Sequence, residues 1–327
     1  MTLAVAPAAT RLRALLRRPD DALPGASIGT VPILWNNVDL GDLAPLVAAE
    51  AVLDEIARTG YEGTQDGRGF PRGDRLRAML AARDLRLAEV YLSIPCGLNG
   101  PPEDALEIAR DRLQVLHEAG GEVLVAALDG SPERSAWSAR AADPRVPRLT
   151  ADGWRRLAAL VDRLAAEAAE LGHRLAWHQH TATYIETPAE LDRLLGLTDA
   201  AAVGVCLDVG HWTVGGGDPV AALRRYGERV THVHLKDVDE AALRALRSGE
   251  IRDFGAAIRA RLFTELGAGV LDLAGVLRAL DERSYRGWLM VEQDSCWGPP
   301  SESAAIGRRV LAAELRRLGR ARPRAGT

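Results

Sequence analysis

Five of the chain's seven histidines, and its only lysine, fall in three short segments. These are WHQH (Trp177 to His180), LDVGH (Leu207 to His211) and HVHLKD (His232 to Asp237). Each follows or contains an apolar, β-branched run that predicts a strand. Side chains alternate along a strand, so His232, His234 and Lys236 share a face, as do His178 and His180. Imidazoles bind metals and carry protons near neutral pH. Lysine differs from arginine in being a compact charge that can lose its proton when buried. Every other basic side chain in the chain is arginine, which makes Lys236 a signal in itself. Asp208 ends the second of these runs, and Glu292 and Asp294 end another near the C-terminus. Two or more carboxylates with imidazoles and no cysteine ligand suit an open divalent-cation site rather than a structural zinc. Mn2+ or Co2+ come first, with Zn2+ or Mg2+ open.

These residues need elements that bring them together. Eight strands are predicted: 28–35, 61–65, 87–94, 122–128, 174–180, 203–209, 230–236 and 288–293. Amphipathic helices are predicted between them at 46–58, 74–82, 104–119, 152–171, 189–195, 219–226 and 271–282, with a last one at 302–318. Thr150 or Asp152, Thr187-Pro188 and Asp218-Pro219 mark helix starts, and Gly60, Gly172 and Gly227 mark helix ends. Strict strand–helix alternation predicts a parallel sheet, and eight repeats predict an α/β fold of the (β/α)8 TIM-barrel type, one domain over 26–320. Residues 1–25 read as an N-terminal extension, partly helical or flexible, and 321–327 as a basic tail. The stretches 129–150 and 239–269 follow strand C-termini and are expected to wall or cover the pocket.

Active sites of such barrels are built from the C-terminal ends of the strands. The expected metal ligands are therefore His178, Asp208, His234 and Glu292. Each has a plainer reading: Asp208 as the cap of the turn at Gly210, His234 as a packed barrel residue, Glu292 as an arginine's partner. His180 and Glu186 compete with His178. The candidates for moving protons are Lys236, His180, His232 and Glu186, with His211 and His232 also suited to orienting ligands or substrate. Asp237 and Asp294 read as partners of Lys236 or as loop caps. Trp35, Trp177, Trp212 and Trp297 flank these segments, and flat apolar rings suit the C–H faces of a sugar or cyclitol. Asn36 and Asn37 add hydrogen-bonding groups beside them. The run at 215–217 carries no phosphate-binding pattern.

The chain has 327 residues, 47% of them hydrophobic, enough for a large core. A net charge of −4 argues against nucleic acid as a partner. No apolar run is long enough to span a membrane. Three cysteines (Cys96, Cys206, Cys296) with no CxxC spacing fit a reduced, cytoplasmic protein. A small polyhydroxy ketone is the expected partner, and a homo-oligomer is left open.

The segments VPILWNN, YEGTQDG, LTADGWRRL, WHQHTATYIET, LDVGHW with GGGDP, HVHLKD, ELGAGVLD and YRGWLMVEQD, in that order, resemble the xylose-isomerase-like barrel superfamily. Within it they are most similar to the inosose (2-keto-myo-inositol) dehydratases. The resemblance implies a metal held by acidic or histidine residues at strands five to eight, which map onto His178, Asp208, His234 and Glu292. It implies a dehydratase that works through an enediolate and loss of a β-hydroxyl. A sugar isomerase or epimerase on the same barrel is the alternative, and a non-catalytic sugar-binding subunit is a more distant one. A DNA-repair endonuclease of the superfamily would need early histidines, and none precedes His117. Two positions depart from the family pattern. Gln65 stands where a glutamate is usual and is expected to touch substrate, and Ala268 stands where Gly267-Ala268-Gly269 would usually carry an aspartate.

Overall fold

The computed structural model describes residues 5–17, 21–38, 40–42 and 45–321. Eight parallel strands close into a barrel: β1 (Ser27–Thr30), β2 (Gly63–Gln65), β3 (Arg86–Ile94), β4 (Val123–Leu128), β5 (Arg174–His178), β6 (Val203–Asp208), β7 (Val230–Leu235) and, after a small antiparallel pair β8 (Asp237–Val238) and β9 (Phe263–Thr264), β10 (Trp288–Val291). The order around the barrel is β1-β10-β7-β6-β5-β4-β3-β2. This is the predicted (β/α)8 architecture.

The helices, among them α3 (Gly73–Ala81), α4 (Ala105–Ala119) and α7 (Pro188–Leu197), form because their apolar residues recur at helical spacing. In α2 (Ala49–Arg58) the buried residues are Ala49, Val52, Leu53, Ile56 and Ala57, one stripe facing the strands. In α6 (Ala151–Glu170) the same spacing runs from Trp154 through Leu157, Val161 and Leu164 to Ala168. Each fully buried Leu or Ile contributes roughly 1.5–3 kcal/mol, so the barrel's stability resides mainly in this outer layer between strands and helices. The starts are fixed by side chains: Thr150 accepts from Gly153 N, Thr187 and Glu190 form a reciprocal capping box, and Asp218 accepts from Val220 N and Ala221 N.

Strands β2, β3 and β4 end where the apolar runs predict, at Gln65, Ile94 and Leu128, and the other five barrel strands end earlier. Strand β1 stops at Thr30, because Pro32 lacks an N–H and opens a 3-10 turn over Pro32–Leu34. Strand β5 stops at His178, before a turn in which Ala182 holds a φ of 68°. The segment 5–16 forms α1 (Val5–Leu16), which lies against α2. Arg13 donates to the Asp84 carbonyl and carboxylate at 2.6 and 2.7 Å. Residues 1–4 and 18–20 of the expected extension, and 322–327 of the expected tail, lie outside the described residues.

Both excursions stand on the C-terminal face. The first carries the single-turn helix α5 (Pro132–Ser135). The second carries α10 (Glu240–Ser248), α11 (Phe254–Arg259) and β9, which pairs back onto β8. They meet where Phe254 N donates to Ser135 Oγ at 3.1 Å. No described helix is long and apolar enough to cross a membrane.

Candidate functional site

Barrel register decides which chemical groups meet. Asp208 at the end of β6 is the Cα partner of His234 on β7, and His178 at the end of β5 is the partner of Cys206. Met290 on β10 pairs with His234, which brings Glu292 up beside it two residues later. The donor atoms of Asp208, His234 and Glu292 lie within 4.8 Å of one another. His178 Nε2 is 3.5 Å from Asp208 Oδ2, and His234 Nδ1 is 2.6 Å from Glu292 Oε2 and 3.7 Å from Asp208 Oδ2.

These atoms fit a divalent cation for a specific reason. Asp208 Oδ2, His234 Nδ1 and Glu292 Oε2 are buried without a hydrogen-bond partner. Buried polar atoms are normally satisfied, and a cation coordinated by such a cluster satisfies several at once. Asp208 resolves the choice between cap and ligand by doing both. Its Oδ1 accepts from His211 N at 2.8 Å, capping the short helix α8 (Val209–Val214), and this leaves Oδ2 facing the cluster. A cysteine does stand beside the site, contrary to the sequence expectation: Cys206 Sγ is within ligand reach of His178 and His234. Burial pushes its thiol up to about 12, so it remains protonated, and a thiol is a poor ligand compared with a thiolate.

Lys236 lies at the base of the cluster. Its Nζ is 2.6 Å from Asp294 Oδ1, 3.1 Å from Glu292 Oε1 and 3.5 Å from Asp208 Oδ2. Burial disfavours the ammonium, but Asp208, Asp294 and Glu292 together outweigh it and hold Lys236 well above the usual lysine range. The three carboxylates thus favour its ammonium form. Glu292, despite its own burial, is held down to about 2 by Lys236 and His234. His211 Nε2 faces Lys236 Nζ at 3.1 Å while its Nδ1 faces Thr181 Oγ1 at 2.9 Å. The same Nδ1 accepts from Thr181 N at 3.3 Å, and burial keeps His211 well below the usual histidine range, so its ring is neutral. His180 stacks on it with ring centroids 3.8 Å apart. Burial, with His178 and Lys236 adding to it, lowers His180 to about 3, so it is neutral at pH 7. Its Nδ1 is 2.7 Å from the Thr181 carbonyl, which fixes the proton there and leaves the lone pair on Nε2.

A cavity of about 570 Å3 opens above the cluster. His178, His180, Glu292 and Asp294 form its floor, and Gln65, Asp66, Tyr91, Ser93, Arg112 and Asp129 line its side. The first excursion reaches this lining through Asp129 and Gly130, whereas the second, expected to wall the pocket, packs beside the histidines instead. Phe254 packs edge-on to His180 at 5.7 Å, and Phe263 packs against His211 at 5.0 Å with Lys236 Nζ 4.7 Å from its ring centre.

Several expected site residues lie elsewhere. Glu186 is not near the cation ligands: its two oxygens accept from Ala139 N and Ala182 N at 2.8 and 2.9 Å, and it ties the first excursion to the turn after β5. His232 is buried below the cavity against Glu89 rather than facing substrate. His211 likewise lies beneath the floor. Trp35 is buried with its Nε1 on Glu55, and Trp212 is buried against Tyr226. Trp177 points outward into the helix layer. Trp297 is 42% exposed with Arg261 over its ring. None of these tryptophans lines the cavity, because strand alternation aims Trp177 away from the interior and the others sit on the flanking turns and helices. Asn36 lines the cavity, but its amide is committed to Val47 and the Arg68 carbonyl. Asp237 caps a loop: its carboxylate collects the N–H groups of Val238, Gly267, Gly269 and Leu271. Ala268 is exposed in that loop and away from the cavity, whereas Gln65 is on its wall.

Glu89, Tyr91 and Ser93 carry no motif to announce them. The available signal is period two within RLAEVYLSI (86–94), where these polar groups alternate with Val90, Leu92 and Ile94.

The xylose isomerase-like TIM barrel family model matches residues 53–314, and the chain belongs to that family. An inosose dehydratase of Lacticaseibacillus casei is 32% identical over 295 residues, covering 88% of this chain and 97% of that one. An inosose dehydratase of Geobacillus kaustophilus is 34% identical, covering 87% and 93%. Among solved structures, an L-ribulose 3-epimerase superposes with a TM-score of 0.66 at 19% identity, covering 92% of this chain and 100% of that one. A probable 3-DHS dehydratase of Bacillus anthracis superposes at 0.64 with 13% identity, covering 87% and 98%. At these identities the structural neighbours speak for the fold alone.

Proposed function

We propose that this protein is a metal-dependent carbon–oxygen lyase that removes water from a keto-cyclitol of the inosose type. The observation that carries the reading is the similarity to inosose dehydratases, 32% over 88% of the chain in one case. The three donor atoms of Asp208, His234 and Glu292, within 4.8 Å of one another and each buried without a hydrogen-bond partner, support it. His178, Asp208, His234 and Glu292 would hold the cation. Bound there, it would act as a Lewis acid on the ketone oxygen and make the neighbouring C–H acidic. His180, neutral and with a free Nε2, takes that proton. The same proton then leaves with the β-hydroxyl as water, and His180 returns to its neutral form. Lys236 remains charged throughout and balances Asp208, Glu292 and Asp294. Gln65, Ser93 and Asp129 offer hydrogen-bonding groups to ring hydroxyls.

The test is mass spectrometry of 2-keto-myo-inositol incubated with the Mn2+-loaded protein in D2O. Loss of one water supports the dehydratase. Deuterium gain without loss of water makes the protein an isomerase or epimerase. An unchanged ketone, with metal bound, overturns the keto-cyclitol substrate.

A further inference from the structure

Below the cation ligands, on the interior face of β3, lies Glu89, a fully buried carboxylate. Its Oε2 accepts from His234 Nε2 at 3.0 Å and also contacts His232 Nε2. Among the described residues its only ion-pair contacts are these two histidines; no arginine or lysine reaches it. A buried carboxylate must be paired or hydrogen-bonded, and in a barrel interior ordinarily filled by apolar side chains these two imidazoles are what pair it. His234 is thus held from both sides, by Glu89 at Nε2 and by the Asp208–Glu292 side at Nδ1.

We infer that Glu89 is a positioning residue for the cation, fixing the ring and the tautomer of His234. This rests on the metal reading above. A neutral imidazole carries one ring proton, and the nitrogen without it is the ligand. A carboxylate at Nε2 keeps the proton there, so that Nδ1 presents its lone pair toward Asp208 and Glu292. It also raises the basicity of the ligating nitrogen. His232, two residues earlier on β7, shares the same oxygen and holds the carboxylate in place from below.

The test compares metal-stripped wild type, Glu89→Gln and Glu89→Asp by the EPR signal of free Mn2+ during titration. Circular dichroism and melting of the stripped forms serve as the fold control. Wild type should bind one ion per chain, Glu89→Gln about 10–100-fold more weakly, and Glu89→Asp in between. A second readout is the Nε2–H proton of His234 in the Zn2+-loaded, 15N-labelled protein. It should give a protected, downfield NMR signal in wild type that is lost in Glu89→Gln, which a packing role alone would not produce. Equal affinities with the signal retained overturn the inference. So does absence of the signal from loaded wild type, a result that stands even if Glu89→Gln fails to fold. Two ions on wild type and one on Glu89→Gln would make Glu89, His232 and His234 a cation site in its own right and overturn positioning. No ion on wild type overturns the metal reading itself, and this inference with it.

Discussion

At the scale of single residues, the site is made of groups that divide their atoms between two tasks. Asp208 caps a helix with one oxygen and faces the cluster with the other. Glu292 faces His234 with Oε2 and Lys236 with Oε1. Glu292→Gln should therefore lose a ligand charge and a partner of Lys236 together. Since removing an outer-shell partner of a metal typically costs 10–100-fold, this variant should lose at least about 100-fold in turnover. Its circular dichroism should be unchanged, and full activity would refute the ligand assignment. Glu186 gives a pH prediction remote from the ligands. Burial raises it to about 7, against the opposing pull of the Ala182 and Ala139 N–H groups and Arg134, with Glu190 adding to the rise. A carboxyl whose folded pKa exceeds its unfolded value near 4.5 binds its proton more tightly when folded. Its stabilising contribution is complete below about pH 4.5 and is lost as pH rises through 7. The melting temperature of Glu186→Gln, relative to wild type, should accordingly be higher at pH 8 than at pH 5.

At the scale of elements, short connections rather than regular strands do the positioning. The turn from β6 into α8 passes so close to the end of β7 that a Cβ at Gly210 would sit 2.8 Å from Lys236 Cβ and Cγ. Gly210→Ala must displace Lys236 or the turn, at roughly 1–3 kcal/mol. Differential scanning calorimetry should detect that loss, along with reduced turnover. The second excursion shields the histidines from water through Phe254 and Phe263. Phe263 is buried against His211 and Lys236, so Phe263→Ala should cost about 3 kcal/mol in urea unfolding. By loosening the packing against His211 and Lys236 it should also reduce turnover more than it weakens cation binding. Helix positions were readable because spacing and caps agree: α9 (Pro219–Tyr226) begins and ends where the Asp218-Pro219 and Gly227 signals put it. The excursions were less readable. The short α11 and the β8–β9 pair owe their form to packing, through Ile258 and Phe263, rather than to local periodicity, whereas α10 has its own cap in Asp239 and stop in Gly249.

At the scale of the whole molecule, the barrel keeps four carboxylates, a lysine and several imidazoles dry in one place. Asp208, Asp294 and Glu292 surround Lys236, and Glu89 lies beneath. Such a cluster carries excess negative charge, and a cation that binds the folded but not the unfolded chain stabilises it by mass action. At a cation concentration one hundred times its dissociation constant, the gain is about 2.7 kcal/mol. Chelator-treated protein should melt at a lower temperature, and Mn2+ or Co2+ should restore the midpoint in a saturable way. A midpoint indifferent to every divalent cation would count against the site.

The sequence by itself determined the alternation of strands and helices, and with it the parallel barrel, since hydrophobic period, caps and glycine stops are local properties. It also determined which strand ends carry His178, Asp208, His234 and Glu292, because alternation assigns faces without knowledge of neighbours. Only the tertiary structure decided which of these groups meet. Register across the closed barrel sets Asp208 beside His234 and brings Glu89, 145 residues away, to the far nitrogen of the same ring. The same closure sends Glu186 to two backbone N–H groups and the tryptophans into the core or out to the surface. A side chain's type limits what it can do, but its partners are set by long-range packing that no local pattern encodes.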